Sequence, residues 1–379
     1  MRHHLTSRLC LAAVIGALAP AAARAGDYGG DFSLRLAPAF VRFTEVSSVG
    51  GETVANRWSS AINPASADWN KVPAEHGLVI TPYYSLVMFD NSTRLHIFGE
   101  SFTLSLGDWG TIQPTVSQIR SNHEPSNQGM EFGYRVDTIQ VQYAKRWDKL
   151  ALGLDLNVAR AEVVQQGDIP VIAPLGIRSE GISVGDWQEF PHVKAKGNAE
   201  SYRFRAGVLY EPAEHWLLGL IGEYGFQPYR STREISIPIP PNPPDGGETA
   251  QLAPVGGIPA MRDTGIQEQI IVRPGVSYEY MTNSTVYLDY EFGRYHNKTG
   301  TLDDNRVSAG IDHALFPWLY LRAGGGVDFL GNLSWTVGTS VHFSKWGSFD
   351  LGYQYDALPE IRREFGRAQV VQATFIVRF

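Results

Sequence analysis

From His76 onward the chain breaks into runs in which apolar and polar residues alternate at every second position, the period of a β-strand with two different faces. In Asn332–Phe343, Leu333, Trp335, Val337, Val341 and Phe343 share a face with Thr339, against Asn332, Ser334, Thr336, Gly338, Ser340 and His342. Phe349, Leu351, Tyr353 and Tyr355 oppose Asp350, Gly352, Gln354 and Asp356 in the same way. The pattern predicts about 14 strands, each about 10–15 residues long. They lie near Leu78–Phe89, Thr93–Leu106, Thr111–Arg120, Glu131–Arg146, Leu150–Val164, Ser201–Glu211 and Trp216–Tyr229. The series continues with Ile266–Tyr280, Thr285–Tyr295, Asn305–Ala314, Trp318–Phe329, Asn332–Phe343, Ser348–Asp356 and a closing run at 369–379. In that last run Val371, Ala373, Phe375, Val377 and Phe379 form the apolar face; Gln372, Thr374 and Arg378 form the other, with Val370 and Ile376 as apolar exceptions.

The order of the connections adds a second pattern. Gly107–Gly110, Trp147–Lys149, Pro212–His215, Met281–Ser284, Leu315–Pro317 and Ser344–Gly347 are all short. The alternate set holds the long ones, Ser121–Met130, Gln165–Glu200, Arg230–Gly265 and Ala357–Ala368, with Asp90–Ser92 and Leu330–Gly331 as short exceptions. Short turns at one end and long loops at the other suit an up-and-down barrel crossing a membrane, and a soluble sandwich has no reason to sort its loops so. The closing run, ending on Phe379, resembles the last strand of a bacterial outer-membrane barrel, in which a terminal aromatic and the alternating residues before it, here Phe375 and Val377, are read by the barrel-assembly machinery. The expected fold is therefore all-β: a transmembrane antiparallel β-barrel of about 14 strands. Trp109, Trp147, Trp216, Trp318 and Trp346 fall at the short-turn end, where an indole girdle meets lipid headgroups.

Composition sharpens this. A basic start, an apolar run from Leu9 to Ala19 and Ala23–Arg24–Ala25 predict a secretory signal over 1–25. The one cysteine, Cys10, lies inside it, so a mature chain would hold no disulfide or thiol site. Thereafter no run approaches 18 apolar residues, which excludes spanning helices but not strands. The net charge of −7 argues against nucleic acid as a partner. The alternation sets a barrel at 76–379 apart from a preceding segment at 26–75.

Arg203, Arg205, Glu223, Arg273, Asp289, Glu291, Asp312, Arg322 and Asp350 all fall opposite the apolar positions and are expected to face the lumen, as are Asp155, Glu279, Asp328 and Asp356. A salt-bridged lumen explains them without an acid–base pair. The histidines are scattered, none beside a serine in a nucleophile-elbow pattern. No metal-ligand spacing occurs, so no enzyme, metal or cofactor is expected. The run Ile237–Pro238–Ile239–Pro240–Pro241–Asn242–Pro243–Pro244 is expected to be a surface loop outside the sheet.

Before the first strand, small and polar residues from Gly50 lead through Ser60–Ala61 into Asn63–Pro64–Ala65. This stretch resembles the hatch of the FadL/TodX family of outer-membrane transporters, although the family usually continues Gly–Leu where Ser66–Ala67 stands here. The resemblance implies that 26–75 forms an amino-terminal plug inside the barrel, and that the protein passively takes up a small hydrophobic ligand, of long-chain fatty acid or hydrocarbon type, with Asn63, Pro64 and Ala65 as hatch residues. It also implies outer-membrane lipid as a neighbour and a sideways exit through the wall. Such an exit needs failed strand pairing; Pro82, Pro114 and a strand interruption near Phe98–Gly99 are the candidates. A general porin for polar solutes and a non-transporting scaffold barrel are the alternatives.

Overall fold

The structure, a computed structural model, describes residues 53–57, 60–69, 77–90, 94–121, 130–168, 192–238, 252–254, 261–297, 300–329, 331–344, 346–356 and 367–379. The expected signal segment and the first half of the expected plug lie outside these residues. The strands are β1 Leu78–Phe89, β2 Arg94–Ser105, β3 Thr111–Ser121, β4 Met130–Trp147, β5 Leu150–Asp168, β6 His192–Tyr210, β7 Trp216–Pro238 and β8 Leu252–Pro254. Then come β9 Met261–Met281, β10 Ser284–Asn297, β11 Gly300–Phe316, β12 Leu319–Asp328, β13 Leu333–Ser344, β14 Gly347–Tyr355 and β15 Ala368–Arg378. One helical turn, α1 (Ser66–Trp69), precedes them.

All strands but β8 form one closed antiparallel barrel of 14 strands, in which β7 pairs with β9. The short β8 pairs only with the outer end of β7. Closure joins β15 to β1 from Val79↔Arg378 to Phe89↔Ala368, and the Phe379 N–H donates to the Leu78 carbonyl at 2.9 Å. A closed sheet leaves no unpaired edge, the condition for a strand protein to sit in hydrocarbon. Phe375 and Phe379 point outward and are exposed. Of the two apolar exceptions in β15, Val370 packs inside with other apolar residues and Ile376 lines a lumenal cavity.

The outward face is apolar over a belt that starts at the short turns. On β5 it reads Leu150, Leu152, Leu154, Leu156 and Val158 before Arg160 and Glu162 appear. The five tryptophans of the expected girdle are all exposed at the turn end. Two-residue turns close β4–β5 and β9–β10. Asp148 (φ 47°) and Asn283 (φ 60°) take the left-handed conformation that such turns demand and that short polar side chains tolerate.

Several strands outrun the sequence pattern at the loop end. β6 begins at His192 rather than near Ser201, and β7 and β9 reach Pro238 and Met261. Past the belt both faces of a strand meet polar surroundings, so the apolar alternation that marks a strand fades while the backbone ladder continues. The sheet even takes in the first two residues of the proline-rich run, Ile237 and Pro238, paired with Ala253 and Leu252; this corrects the expectation that the run stays outside. Its remainder, 239–244, lies outside the described residues.

Besides Pro238 at the end of β7, four prolines lie within the described wall, and each interrupts one ladder only. Pairing lapses beside Pro82 between β1 and β15, beside Pro114 between β2 and β3, beside Pro228 between β6 and β7, and beside Pro274 between β9 and β10. In an antiparallel strand a residue's N–H and C=O point to the same neighbour, so a missing N–H harms one seam and spares the other. Pro114 accordingly faces outward, still pairs with Val141 of β4, and leaves no pairing between Ser101↔Thr115 and Leu104↔Ile112 on its β2 side. The expected interruption near Phe98–Gly99 is absent: both residues pair on both sides. Gly99 instead gives room to the Tyr83 ring, which would lie 2.1 Å from a Cβ there.

Candidate functional site: the lumen and its plug

The described plug, Thr53–Arg57 and Ser60–Trp69, lies inside the turn end of the barrel and is bonded to one side of the wall. Three inward-facing glycines let it come close. A Cβ at Gly153 (β5) would stand 2.3 Å from the Ala65 nitrogen, one at Gly207 (β6) 2.1 Å from Asn63 Oδ1, and one at Gly219 (β7) 2.6 Å from the Val54 carbonyl. Asn63 knits the segment together. Its Nδ2 donates to the carbonyls of Val54 and Val208, both at 3.1 Å, and its Oδ1 accepts from the Ala65 N–H at 3.1 Å. Pro64 and Ala65 begin the turn that leads into α1, with the Ser66 and Ala67 N–H groups donating back to the Asn63 and Pro64 carbonyls.

Charged lumenal residues complete the attachment. Asp289 on β10 accepts from the Val54 N–H at 2.8 Å and the Thr53 hydroxyl at 3.0 Å, while Arg273 stands 3.0 Å away. Arg205 donates through Nη1 to the Ala61 and Ile62 carbonyls at 2.8 and 2.7 Å, and its other nitrogens hold Asp155. Arg203 stands between Asp155 and Glu223, at 3.7 and 3.9 Å. Arg273 also faces Glu291 at 3.6 Å. Across the lumen Arg322 lies between Asp312 and Asp350, at 3.5 and 3.8 Å, and Ser340 bonds both Arg322 and Asp350. These groups are screened from lipid and neutralise one another, which is the arrangement that lets charge persist at this depth.

Asp68 in α1, not singled out from the sequence, makes a further tie. Its carboxylate accepts from the Thr111 hydroxyl of β3 and the Arg146 N–H of β4, both at 2.7 Å. Trp69 lies under the Arg146 guanidinium, 4.0 Å from the ring centroid, and Arg57 reaches Glu211 and Glu279 at 3.4 and 3.5 Å. The one sequence signal for this surface was the run of inward-phase glycines on neighbouring strands, whose partners cannot be read locally.

Beside the plug is a cavity of about 640 Å³, lined by polar side chains such as Thr81, Ser101, Gln113 and Arg322 together with apolar surface from Trp69 and Ile376. The seams at Pro82 and Pro114 both border it, through Thr81 and Ile376 and through Thr103 and Gln113. The Ser101 and Thr115 hydroxyls, 2.7 Å apart, bridge β2 and β3 at the edge of the second lapse. Nearer the loop end the lumen changes character. Val87, Phe89, Leu95, Ile97, Ile119, Val136 and Val370 are buried on the inward face and form one apolar cluster with Tyr134 and Tyr229. Tyr83 packs beneath it and also lines the cavity.

The architecture matches solved channels. The structure of the CymD monoaromatic hydrocarbon channel superposes with a TM-score of 0.56 at 14% identity, over 87% of this chain and 95% of that one. The toluene transporter TbuX of Ralstonia pickettii gives 0.55 at 12% identity, over 88% and 97%. A FadL homologue of Pseudomonas aeruginosa gives 0.53 at 11%, over 87% and 96%. The chain has the FadL/TodX-type barrel fold. At these identities the likeness is one of fold. No protein-family profile and no curated protein sequence matches the chain.

Proposed function

We propose that this protein is an outer-membrane channel for passive uptake of hydrophobic compounds, with Asn63, Pro64 and Ala65 in its hatch. The apolar cluster inside the lumen carries this reading. A pore for polar solutes has no use for Val87, Leu95, Ile97 and Ile119 on its inward face. A ligand of fatty-acid or hydrocarbon type would be held against this cluster, pass Tyr83, and leave between β2 and β3, where Pro114 has removed the ladder and the cavity lies behind it. The hydrocarbon channels that share the fold support the same class of ligand. A signal segment over 1–25 would export the chain. The barrel-assembly machinery would read Phe375, Val377 and Phe379, and lipid would cover the outward belt.

The test is a reversible latch. Ser101→Cys with Thr115→Cys places a disulfide where two hydroxyls already meet. Oxidation is expected to stop uptake of a labelled hydrophobic compound and reduction to restore it; uptake equal in both states refutes the exit. A second reading, passage of polar solutes, draws on the polar side chains among those lining the cavity beside the plug. Planar-bilayer recording separates the two, since a plugged barrel stays silent and a porin carries steady current.

A further inference from the structure

Glu100 is the exception on the outward belt. It lies on the outer face of β2 between Phe98 and Phe102, five residues from the end of the strand at Ser105. With a rise of about 3.3 Å per residue and a tilt of about 40°, that is roughly 13 Å above the turn. A belt of this kind is about 25 Å tall, so the carboxylate stands near its middle. The outward neighbours at this height on β1 and β3 are Ile80, Pro82, Tyr84, Pro114, Val116 and Gln118, none of them charged. Outward-facing cations on β2 and β3 are distant: Arg94 stands six residues nearer the loop end, and Arg120 four beyond Val116, the β3 partner of Glu100. Among the described residues no ion pair involves Glu100. A carboxylate facing hydrocarbon is costly, and such residues mark pathways or wetted surfaces.

Its register supplies the second observation. Glu100 pairs with Pro82, whose other side is the lapsed β1–β15 seam. The next inward-facing residue, Ser101, forms the last pair before the lapse between β2 and β3. Among the described residues Glu100 is thus the carboxylate in the middle of the belt, and it sits on the hairpin that is interrupted along both outer seams, with cavity residues behind each lapse. Water that reaches the cavity can reach the outer lip there, so a charge can be kept where an unbroken wall would exclude it.

Resting on the uptake reading above, we infer that Glu100 is a selectivity residue at the lateral mouth, and that its carboxylate turns away ligands bearing a carboxylate and passes uncharged apolar ones. The ligand class narrows accordingly from fatty acids or hydrocarbons to uncharged hydrocarbons.

The experiment compares wild type, Glu100→Gln and Glu100→Asp at equal surface amounts in host cells without such channels. Folding is checked by the gel-mobility shift of an unboiled barrel. Uptake of labelled toluene and labelled decanoate is measured at neutral pH. Glu100→Gln is expected to raise the decanoate-to-toluene ratio at least about fivefold, the factor set by two carboxylates about 4 Å apart in water. Glu100→Asp is expected to keep the wild-type ratio. If wild type carries toluene and the Gln variant leaves the ratio unchanged, the inference falls and the channel reading stands. If wild type carries neither compound, both fall.

Discussion

At the scale of single residues, the plug is held by close approach as much as by charge. Gly153 admits the backbone of Pro64 and Ala65, and any Cβ there overlaps it. Gly153→Ala is therefore expected to push the plug from the wall, costing about 1–3 kcal/mol, as overpacking does. The outward-facing Gly222, whose Cβ would meet nothing within 4 Å, is the control: Gly222→Ala is expected to be silent. Thermal unfolding in detergent, followed by gel mobility, reads both. Arg205 combines two duties, neutralising Asp155 and holding the Ala61 and Ile62 carbonyls. Arg205→Met leaves a buried carboxylate without this partner, so a loss of about 3–5 kcal/mol in urea unfolding is expected.

Single elements differ in how firmly they are seamed. The hairpin of β1 and β2 is paired without a break from Leu78↔Leu104 to Met88↔Arg94, yet each of its outer seams has a proline lapse. The lapses at Pro228 and Pro274 are backed by buried polar side chains, and at the latter Arg273 and Glu291 face one another across the seam. Pro114→Val returns an N–H to the β2–β3 ladder. It is expected to slow uptake of a labelled hydrocarbon while leaving thermal stability equal or higher; Pro228→Val, at a seam away from the cavity, is expected to leave uptake unchanged. The closing strand is a different kind of element. Phe379 points outward and its N–H completes the seam to Leu78, so deleting Phe379 is expected to lower the amount of folded barrel in the membrane several-fold, measured by gel mobility of membrane fractions.

For the whole molecule, the barrel was legible in the sequence because two solvents act on each strand. Lipid outside and a polar lumen inside force side chains into alternate phases, and that is a local pattern. It fixed the strands of the belt, the order of short and long connections, and the inward phase of Arg203, Asp289 and Asp350. It lost the outer ends of β6, β7 and β9, where no such contrast exists. Tertiary structure alone decided the rest. The Val54 N–H meets Asp289 across 235 positions of chain, and no local period encodes that contact. A proline can be seen in the sequence, but which neighbouring strand loses its partner depends on where the missing N–H points. The sequence by itself determined a wall with two faces. Which side of the wall the plug binds, and which seam is left weak, depends on contacts that exist only once the barrel has closed.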